Sequence, residues 1–243
     1  MKTHSDPIVR LENVTRHFHQ GETIVRAVDG VDLEVYPGEF TVISGPSGSG
    51  KTTILNLIGA LDDPTEGKIW VEGKNLSSMS RSERSVFRRD RIGFVFQAYN
   101  LIPVLTALEN AEFILTLQGV PSSERKERVL SLMKEVELEG LENRRPDEMS
   151  GGQQQRIAII RAIISNPAIV LADEPTANVD TATAGKILDL MAKLNREKNA
   201  TFLFSTHDHN VIERASRVIR MQDGKIIKND LQSAIENSSE DHS

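Results

Sequence analysis

The sequence predicts an α/β fold, because strand-like and helix-like segments alternate along most of the chain. Two apolar segments, 40–44 (FTVIS) and 168–173 (AIVLAD), have the length and composition of buried strands. The first leads through a glycine-rich loop into a helical pattern over 51–60. We therefore expect a core in which helices cover a mixed sheet.

A second, antiparallel sheet is predicted near the amino terminus. Segments 8–14 and 31–35 alternate apolar and polar residues, which is typical of half-buried strands with one face on a core. Segments 69–72 and 92–97 are further strand candidates. Near the other end, TFLFST (201–206), a short helix and a hairpin follow one another, with Asp223-Gly224 as the hairpin turn.

Between these strand-rich parts, helical periodicity dominates from about residue 98 to residue 165. It predicts helices over 106–118, 123–136 and 150–165, with prolines 103, 121 and 146 at the joints. The expected organisation is a single domain, with an α/β core over about 8–97 and 167–231. We expect residues 98–166 to form an inserted helical subdomain and residues 232–243 a flexible acidic tail.

Composition limits the classes of function. Of 243 residues, 38% are hydrophobic and 26% charged, as in globular proteins. No apolar run approaches the ~18 to 20 residues of a spanning helix, and the first residues lack the apolar core of a signal peptide. Cysteine is absent, which excludes disulfides and thiolate metal sites. The net charge of −6 disfavours nucleic-acid binding. We expect a cytoplasmic protein.

One basic segment stands out against this acidic balance. Residues 80–91, SRSERSVFRRDR, contain five arginines. The segment is either the solvated face of a helix or a surface that contacts a partner, and the sequence leaves both interpretations open.

GPSGSGKT (45–52) satisfies the phosphate-loop pattern G-x-x-x-x-G-K-[ST]. Its glycines let backbone N–H groups wrap phosphate oxygens, and the following helix directs its positive end at the same anion. Lys51 is expected to bridge the β- and γ-phosphates, and the Thr52 hydroxyl to bind Mg²⁺. The alternative, a flexible turn before a helix, is disfavoured by the buried strand that precedes the loop. The residues predicted to bind nucleotide here are Ser47, Gly48, Ser49, Gly50, Lys51, Thr52 and Thr53.

The apolar strand AIVLAD ends in adjacent carboxylates, Asp173 and Glu174. Two anions at one strand end are costly unless a cation offsets them. Asp173 is therefore predicted to hold Mg²⁺, and Glu174 to be the general base that polarises an attacking water. The alternative is that these acids cap the next helix.

Gln97 and His207 follow two other predicted strands. Parallel strands deliver such residues to one crevice at their carboxyl ends. Gln97 is predicted to ligate Mg²⁺ or to place water, and His207 to hydrogen-bond the γ-phosphate and the attacking water. The predicted metal ligands are thus Thr52, Gln97 and Asp173, with Gln97, Glu174 and His207 as the catalytic residues.

MSGGQQQR (149–156) begins a second helix with glycines but without a lysine. Ser150 can cap this helix, and Gly151 and Gly152 leave N–H groups open to an anion. A second copy of the chain, related by a two-fold axis, could present this helix start to the γ-phosphate held by the first copy. The second turn is therefore predicted to serve the nucleotide of a neighbouring chain.

These motifs in this order resemble the nucleotide-binding subunit of ATP-binding cassette (ABC) transporters over about residues 8–231. GPSGSGKT matches the family's Walker A, Gln97 the Q-loop, SGGQ (150–153) the signature, LADE (171–174) the Walker B, ANVD (177–180) the D-loop and His207 the switch histidine. The resemblance implies a P-loop NTPase core with an antiparallel β subdomain and an inserted helical subdomain. It also implies Mg²⁺-dependent hydrolysis of ATP by a homodimer that forms on ATP binding.

The resemblance assigns further residues to the nucleotide or the subunit boundary. They are Phe18, which falls where the family places an aromatic stacked on adenine, Ser150, Gly151, Gly152 and Gln153 of the signature, and Asp180 of the D-loop. Core packing remains the alternative for Phe18. Met149 and Val179 replace the family's usual leucines, and neither change removes a reacting group.

Several stretches are similar to the lipoprotein-release and macrolide-export (LolD/MacB-type) branch of the family. They are VYPGEF, LNLIGALDDPTEGKI, RRDRIGFVFQAYNLIPVLTALEN and LADEPTAN. The resemblance implies FtsX/MacB-like integral membrane permease subunits as partners, lodged near residues 97–106, and attachment to the inner face of the cell membrane through them. The alternatives are a cell-division ATPase of the same branch and a soluble ABC ATPase acting on DNA or ribosomes. A P-loop kinase or GTPase would leave SGGQ, ANVD and His207 without a purpose.

Overall fold

The computed structural model describes residues 6–21 and 23–231, within which ten strands form two sheets. The strands are β1 (Val9–Gln20), β2 (Thr23–Val35), β3 (Phe40–Ser44), β4 (Glu66–Val71), β5 (Lys74–Asn75), β6 (Ile92–Phe96), β7 (Ile169–Asp173), β8 (Phe202–Ser205), β9 (Arg217–Gln222) and β10 (Lys225–Leu231). The helices are α1 (Lys51–Ile58), α2 (Arg81–Arg91), α3 (Ala107–Leu117), α4 (Ser122–Glu135), α5 (Gly151–Ile163), α6 (Thr181–Lys198) and α7 (His209–Arg214). The predicted acidic tail, 232–243, lies outside the described residues. Within them, no helix combines the length and apolarity needed to cross a membrane.

The smaller sheet has the order β2-β1-β4-β5 and is antiparallel, as the alternating pattern predicted. Both of its long strands extend well beyond the predicted 8–14 and 31–35. The reason is local: the β1–β2 register shifts between Leu11 and Val14, where Asn13 has a φ of 46°. Such a bulge interrupts the two-residue period on which the prediction rested.

The larger sheet has the order β10-β9-β3-β8-β7-β6. All neighbouring pairs from β9 to β6 are parallel and β10 is antiparallel, so the predicted mixed sheet and the α/β fold class are confirmed. Phe96 pairs with Asp173, and Asp173 pairs with Ser205. The three strands therefore end level with one another, and the residues that follow them emerge at the same edge.

Three clusters of buried side chains hold these layers together. One joins the antiparallel sheet and α1 to one face of the larger sheet, and a second joins α6 and α7 to its other face. The third packs α3, α4 and α5 against one another. Helix α5 belongs to two clusters, because Ile159 packs with the sheet while Ile157 and Ile160 pack with α3 and α4. Helix α5 thus connects α3 and α4 to the sheet.

The sequence pattern missed the longest described helix, α6, between β7 and β8. The basic segment proves to be α2, and its arginines are largely used inside the fold. Arg88 donates to the Ala60 carbonyl at 2.7 Å, and Arg91 pairs with Glu72 through two nitrogens. These bonds favour a helix face tied to its neighbours over a basic surface that awaits a partner.

The loop between β6 and α3 is fixed by one buried side chain, Asn110. Its amide accepts a hydrogen bond from the Ile102 N–H at 2.7 Å and donates to the carbonyls of Ile102, Leu105 and Thr106 at 3.0 to 3.1 Å. Since Asn110 is fully buried, its amide provides the hydrogen bonds that water would otherwise provide to the backbone of the loop.

Replacing Asn110 by alanine should lower the free energy of unfolding by about 2–4 kcal/mol, because several buried backbone groups lose their partner at once. Urea denaturation of both proteins measures this difference. Asn143→Ala, at an exposed position, is the control and should change stability by less than about 0.5 kcal/mol. Equal effects of the two substitutions would contradict the structural role of Asn110.

Candidate active site

The glycine-rich loop connects β3 to α1 and packs against the antiparallel sheet. Gly50 has a φ of 102°, and a side chain there would collide with the Ala27 carbonyl. Gly48 also has a positive φ, 80°, but no atom lies within 4 Å of the position that its Cβ would occupy. Gly50 therefore lets the loop approach β2, whereas Gly48 leaves open space in front of the loop.

Helix α1 begins at this loop without a side-chain cap and without an acidic residue in its first turn. Its first helical hydrogen bond runs from the Ile54 N–H to the Gly50 carbonyl at 3.0 Å, which leaves the N–H groups of residues 51–53 without an acceptor in the helix. Helices α2, α3 and α5, in contrast, begin with a capping box. The start of α1 thus fits an anion.

The Lys51 side chain lies at the same place. It is only 8% exposed, and its Nζ donates to the carbonyls of Gly45 and Pro46 at 2.8 and 2.9 Å. A buried ammonium needs a counter-charge, and the loop supplies only carbonyl dipoles. An anion in the loop would complete the neutralisation.

A cavity of about 680 Å³ lies above the loop. Gly48, Lys51 and Thr52 form one side of it, and Ile24 and Val25 of β2 belong to the other. Of the described residues that line it, none belongs to the second glycine turn at 150–153. The cavity therefore has the glycine-rich loop on one side and apolar side chains of β2 on the other.

Phe18 lies on β1 opposite Val25, one of the residues that line the cavity. Its ring is 36% exposed and is outside the buried clusters of the described residues, so the structure disfavours the core-packing alternative. The Arg16 guanidinium lies 4.5 Å from the ring centre, which is a cation–π distance.

Asp173 and Thr52 are brought together across the edge of the sheet. The Thr52 hydroxyl lies 3.0 and 3.1 Å from the two carboxylate oxygens of Asp173. A hydroxyl and a carboxylate are hard oxygen donors of the kind that Mg²⁺ binds beside phosphates, so the residues present fit this ion. The alternative that these acids cap the next helix is wrong, since α6 is capped by Asp180, whose carboxylate accepts from the Thr183 N–H at 3.0 Å.

Glu174 is held by two side chains from the neighbouring strand end. Its carboxylate accepts from the Thr206 hydroxyl at 2.8 Å and lies 2.7 Å from Nδ1 of His207. Its backbone has a φ of 44°, and its N–H donates to the Ser205 carbonyl at 2.9 Å. A non-glycine residue with this φ is retained only where its surroundings fix it, and active sites are common places for it.

Thr206 was not predicted as a site residue. The sequence pattern makes it the last residue of a strand, whereas β8 ends at Ser205 and the buried Thr206 side chain turns towards Glu174. The signal that could have identified it is its position directly before His207, at the end of a strand that pairs with β7.

Gln97 is placed at the same edge but bonds to a different partner from those predicted. Its Nε2 lies 3.4 Å from Oδ1 of Asn178, and the Asn178 amide donates to the Gln97 carbonyl at 2.9 Å. The described contacts of Gln97 therefore connect the end of β6 to the segment before α6. They do not join it to Thr52 or Asp173.

The second glycine turn forms the start of α5, as predicted. Ser150 accepts from the Gln153 N–H at 3.4 Å, and the Gln153 side chain accepts from the Ser150 N–H at 2.9 Å. Gly152 packs so closely on α6 that a Cβ there would collide with the Thr183 methyl group. Asp180 and this turn thus lie at adjacent helix starts. Hydrogen bonds from Thr183 hold the pKa of the Asp180 carboxyl below its usual value, which favours the charged form.

A family model described as "ABC transporter" matches residues 28–177 of the chain. An uncharacterised ABC transporter ATP-binding protein of Methanocaldococcus jannaschii, MJ0796, is 46% identical over 223 residues, which cover 90% of this chain and 95% of that protein. A macrolide export ATP-binding/permease protein, MacB, of Hyphomonas neptunium is 42% identical over 221 residues. This match covers 91% of the present chain but 34% of MacB.

Solved structures give the same relationship. A dimeric structure of the ATP-binding cassette MJ0796, in a post-hydrolysis state bound to ADP and Pi, matches with a TM-score of 0.85 and 45% identity. The match covers 92% of this chain and 98% of that one. CbiO1 of Clostridium perfringens, part of an ABC transporter complex, matches with a TM-score of 0.82 at 26% identity, covering 93% and 88% of the two chains.

Gly48→Ala and Gly50→Ala form a matched pair that tests the geometry of the loop. Both place a Cβ at positive φ, which costs about 1–2 kcal/mol of stability. Only Gly50→Ala adds a collision with the Ala27 carbonyl, so its loss should be roughly twice as large or more. Denaturant unfolding measures both, and equal losses would contradict the close approach of the loop to β2.

Proposed function

The chain belongs to the ABC transporter family and is an ATP-binding ATPase of that family, and we propose that two copies of it enclose ATP between them and drive a membrane permease. One observation carries this proposal: the first glycine turn floors a cavity, while the second, at the start of α5, contributes nothing to that cavity among the described residues. A second copy gives the second turn a use.

ATP is bound first by one copy. The free N–H groups at the start of α1 and the Lys51 ammonium hold the β- and γ-phosphates, together with residues 47–53 of the loop. The adenine stacks on the exposed ring of Phe18, beside the apolar wall of the cavity. The dimer then closes when Ser150, Gly151, Gly152 and Gln153 of the second copy reach the γ-phosphate, with Asp180 at the boundary.

Hydrolysis needs an in-line water and a base. Glu174 accepts a proton from the water while the water oxygen bonds to the γ-phosphorus. At the same time the bond between the γ-phosphorus and the bridging β-phosphate oxygen breaks, and ADP leaves. Thr206 holds the Glu174 carboxylate in place throughout. The exposed His207 ring, which contacts Glu174 without nucleotide, would turn to the γ-phosphate when nucleotide is bound. Thr52 and Asp173 are the residues that would hold Mg²⁺, which would offset the charge of the phosphates. Gln97 would join them by moving its side chain from Asn178.

The permease is proposed to dock beside β6. A cavity of about 290 Å³, lined mainly by apolar side chains, lies between β6, α3 and α5 and includes Phe96, Ile102 and Phe113. Val104, in the adjoining loop, is 73% exposed. Exposed apolar surface of this kind is typical of a site that another protein covers. A partner seated here would contact the chain segment that begins at Gln97.

Within the family, we propose the lipoprotein-release or macrolide-export type of machine, with an FtsX/MacB-like permease at the inner face of the cell membrane. Support comes from the MacB relative, whose name joins an ATP-binding part to a permease part. In this scheme residues 8–97 and 167–231 act as the α/β core and 98–166 as the helical subdomain, and ATP-driven closure of the dimer moves the permease helices.

Glu174→Gln removes the proposed base but keeps the size of the side chain. We expect it to accumulate an ATP-bound dimer, because the closed state forms but does not turn over. Gel filtration with Mg-ATP measures the shift from monomer to dimer. The double variant Lys51→Ala/Glu174→Gln is the control and should stay monomeric. A Glu174→Gln protein that also stays monomeric would contradict the shared site.

Ser150→Arg tests whether the second turn acts on the nucleotide of the other copy. It should leave the affinity of the monomer for ATP unchanged and reduce kcat by roughly a hundredfold, since a donor at the reacting phosphate is lost. Ser80→Arg is a matched control, because Ser80 caps α2 with the same capping box. Both substitutions cost about 1 kcal/mol of stability, yet Ser80→Arg should hydrolyse ATP normally. Normal hydrolysis by Ser150→Arg would exclude the proposed contact.

A further inference from the structure

The segment that follows β6 is held in an unusual backbone conformation. Tyr99 and Asn100 have φ values of 58° and 50°, so two consecutive non-glycine residues are left-handed. Such residues persist where the surroundings supply compensating contacts. Here Arg161 of α5 supplies them, donating from Nη2 to the Tyr99 carbonyl at 2.8 Å and from Nη1 to the Asn100 carbonyl at 2.6 Å.

The other end of Tyr99 reaches two motifs at once. Its hydroxyl donates to the Asn178 carbonyl at 2.9 Å. A methyl group added at Gly151 would lie 2.6 Å from the same hydroxyl, so the first turn of α5 rests against it. One phenol therefore lies where the segment after β6, the start of α5 and the segment before α6 meet.

Asn178 is tied to this segment a second time. Its side chain exchanges hydrogen bonds with Gln97, at 2.9 and 3.4 Å. Both the backbone and the side chain of Asn178 thus depend on residues 97–99. Asp180, two residues further on, caps α6. A displacement of the segment after β6 would consequently carry the Asn178–Asp180 stretch with it.

We propose that Tyr99 is a positioning residue for ATP hydrolysis, whose hydroxyl holds the Asn178 carbonyl against the first turn of α5 in the arrangement that the two-copy site requires. Tyr99 touches neither the loop at 45–52 nor the cavity above it among the described contacts. Its effect therefore passes through the residues at the boundary between copies. This inference rests on the proposed function, in which that boundary encloses ATP.

The position of Tyr99 also relates the boundary to the proposed permease site. Asn100 and Arg161 line the apolar cavity beside β6, and Arg161 is the side chain that holds the Tyr99 backbone. A partner that presses on this cavity would shift the carbonyl end of Tyr99, and the rigid ring would move the hydroxyl end. Burial raises the pKa of the Tyr99 phenol, which favours the protonated form that donates to Asn178.

Tyr99→Phe tests the proposal, because it keeps the ring and removes only the hydroxyl. We expect kcat for ATP to fall roughly tenfold, the equivalent of one lost hydrogen bond, while KM changes less than about twofold. The chain has only one other tyrosine, and Tyr36→Phe is the matched control. The Tyr36 hydroxyl bonds only to Glu34 on the same strand end, at 2.6 Å, among the described contacts, and its loss should leave both constants unchanged. A Tyr99→Phe enzyme with normal kcat would overturn the proposal.

A spectroscopic measurement on the full chain separates positioning from a merely structural role. Fluorotyrosine incorporation gives two ¹⁹F resonances, which Tyr36→Phe assigns. In the Glu174→Gln background, the Tyr99 resonance should shift on addition of Mg-ATP and the Tyr36 resonance should not. An unshifted Tyr99 resonance in a protein that has dimerised would overturn the inference alone. Failure of Glu174→Gln to dimerise would instead overturn the shared site on which the inference rests.

Discussion

Parallel pairing of β6, β7 and β8 decides where the side chains of the proposed catalytic site lie. Because Phe96, Asp173 and Ser205 are level in the sheet, the next residue of each strand, Gln97, Glu174 or Thr206, emerges at one edge. A slip of one residue in any pair would direct these side chains to the opposite face. The hydrogen bonds around Glu174 form only in this register. The strand pairing that stabilises the sheet therefore also sets the positions of the side chains at its edge.

The start of α1 lies at the same edge and, unlike the start of α5, has no side-chain cap. The free N–H groups of α1 and the buried Lys51 create a demand for negative charge that the described chain does not meet. At α5 the demand is partly met, since Ser150 and Gln153 cap each other. The start of α1 therefore has more unsatisfied N–H groups than the start of α5, which agrees with the proposal that the second start adds to an anion already bound.

The sequence predicted those parts that depend on neighbours in the chain. The boundaries of β3 follow from a short strand-like segment, FTVIS, that ends at the glycine-rich loop, and the cap of α5 follows from Ser150 before the two glycines. Helix α6 was missed because Gly185 and scattered polar residues weaken its pattern, whereas packing on the sheet stabilises it. The hydrogen bonds of Thr206 to Glu174 and of Tyr99 to Asn178 join residues 32 and 79 positions apart. The periodicity of the sequence does not indicate such long-range contacts.

Helix α5 connects these separate observations. It packs on the sheet through Ile159 and on α3 and α4 through its other face, so it cannot move without disturbing one of the two clusters. Its first residue, Gly151, rests on the Tyr99 hydroxyl, and Arg161 near its end holds the Tyr99 carbonyl. Closely packed interiors transmit displacement instead of absorbing it. In the proposed scheme, a force applied beside β6 would reach both ends of α5 and, through Asn178, the start of α6.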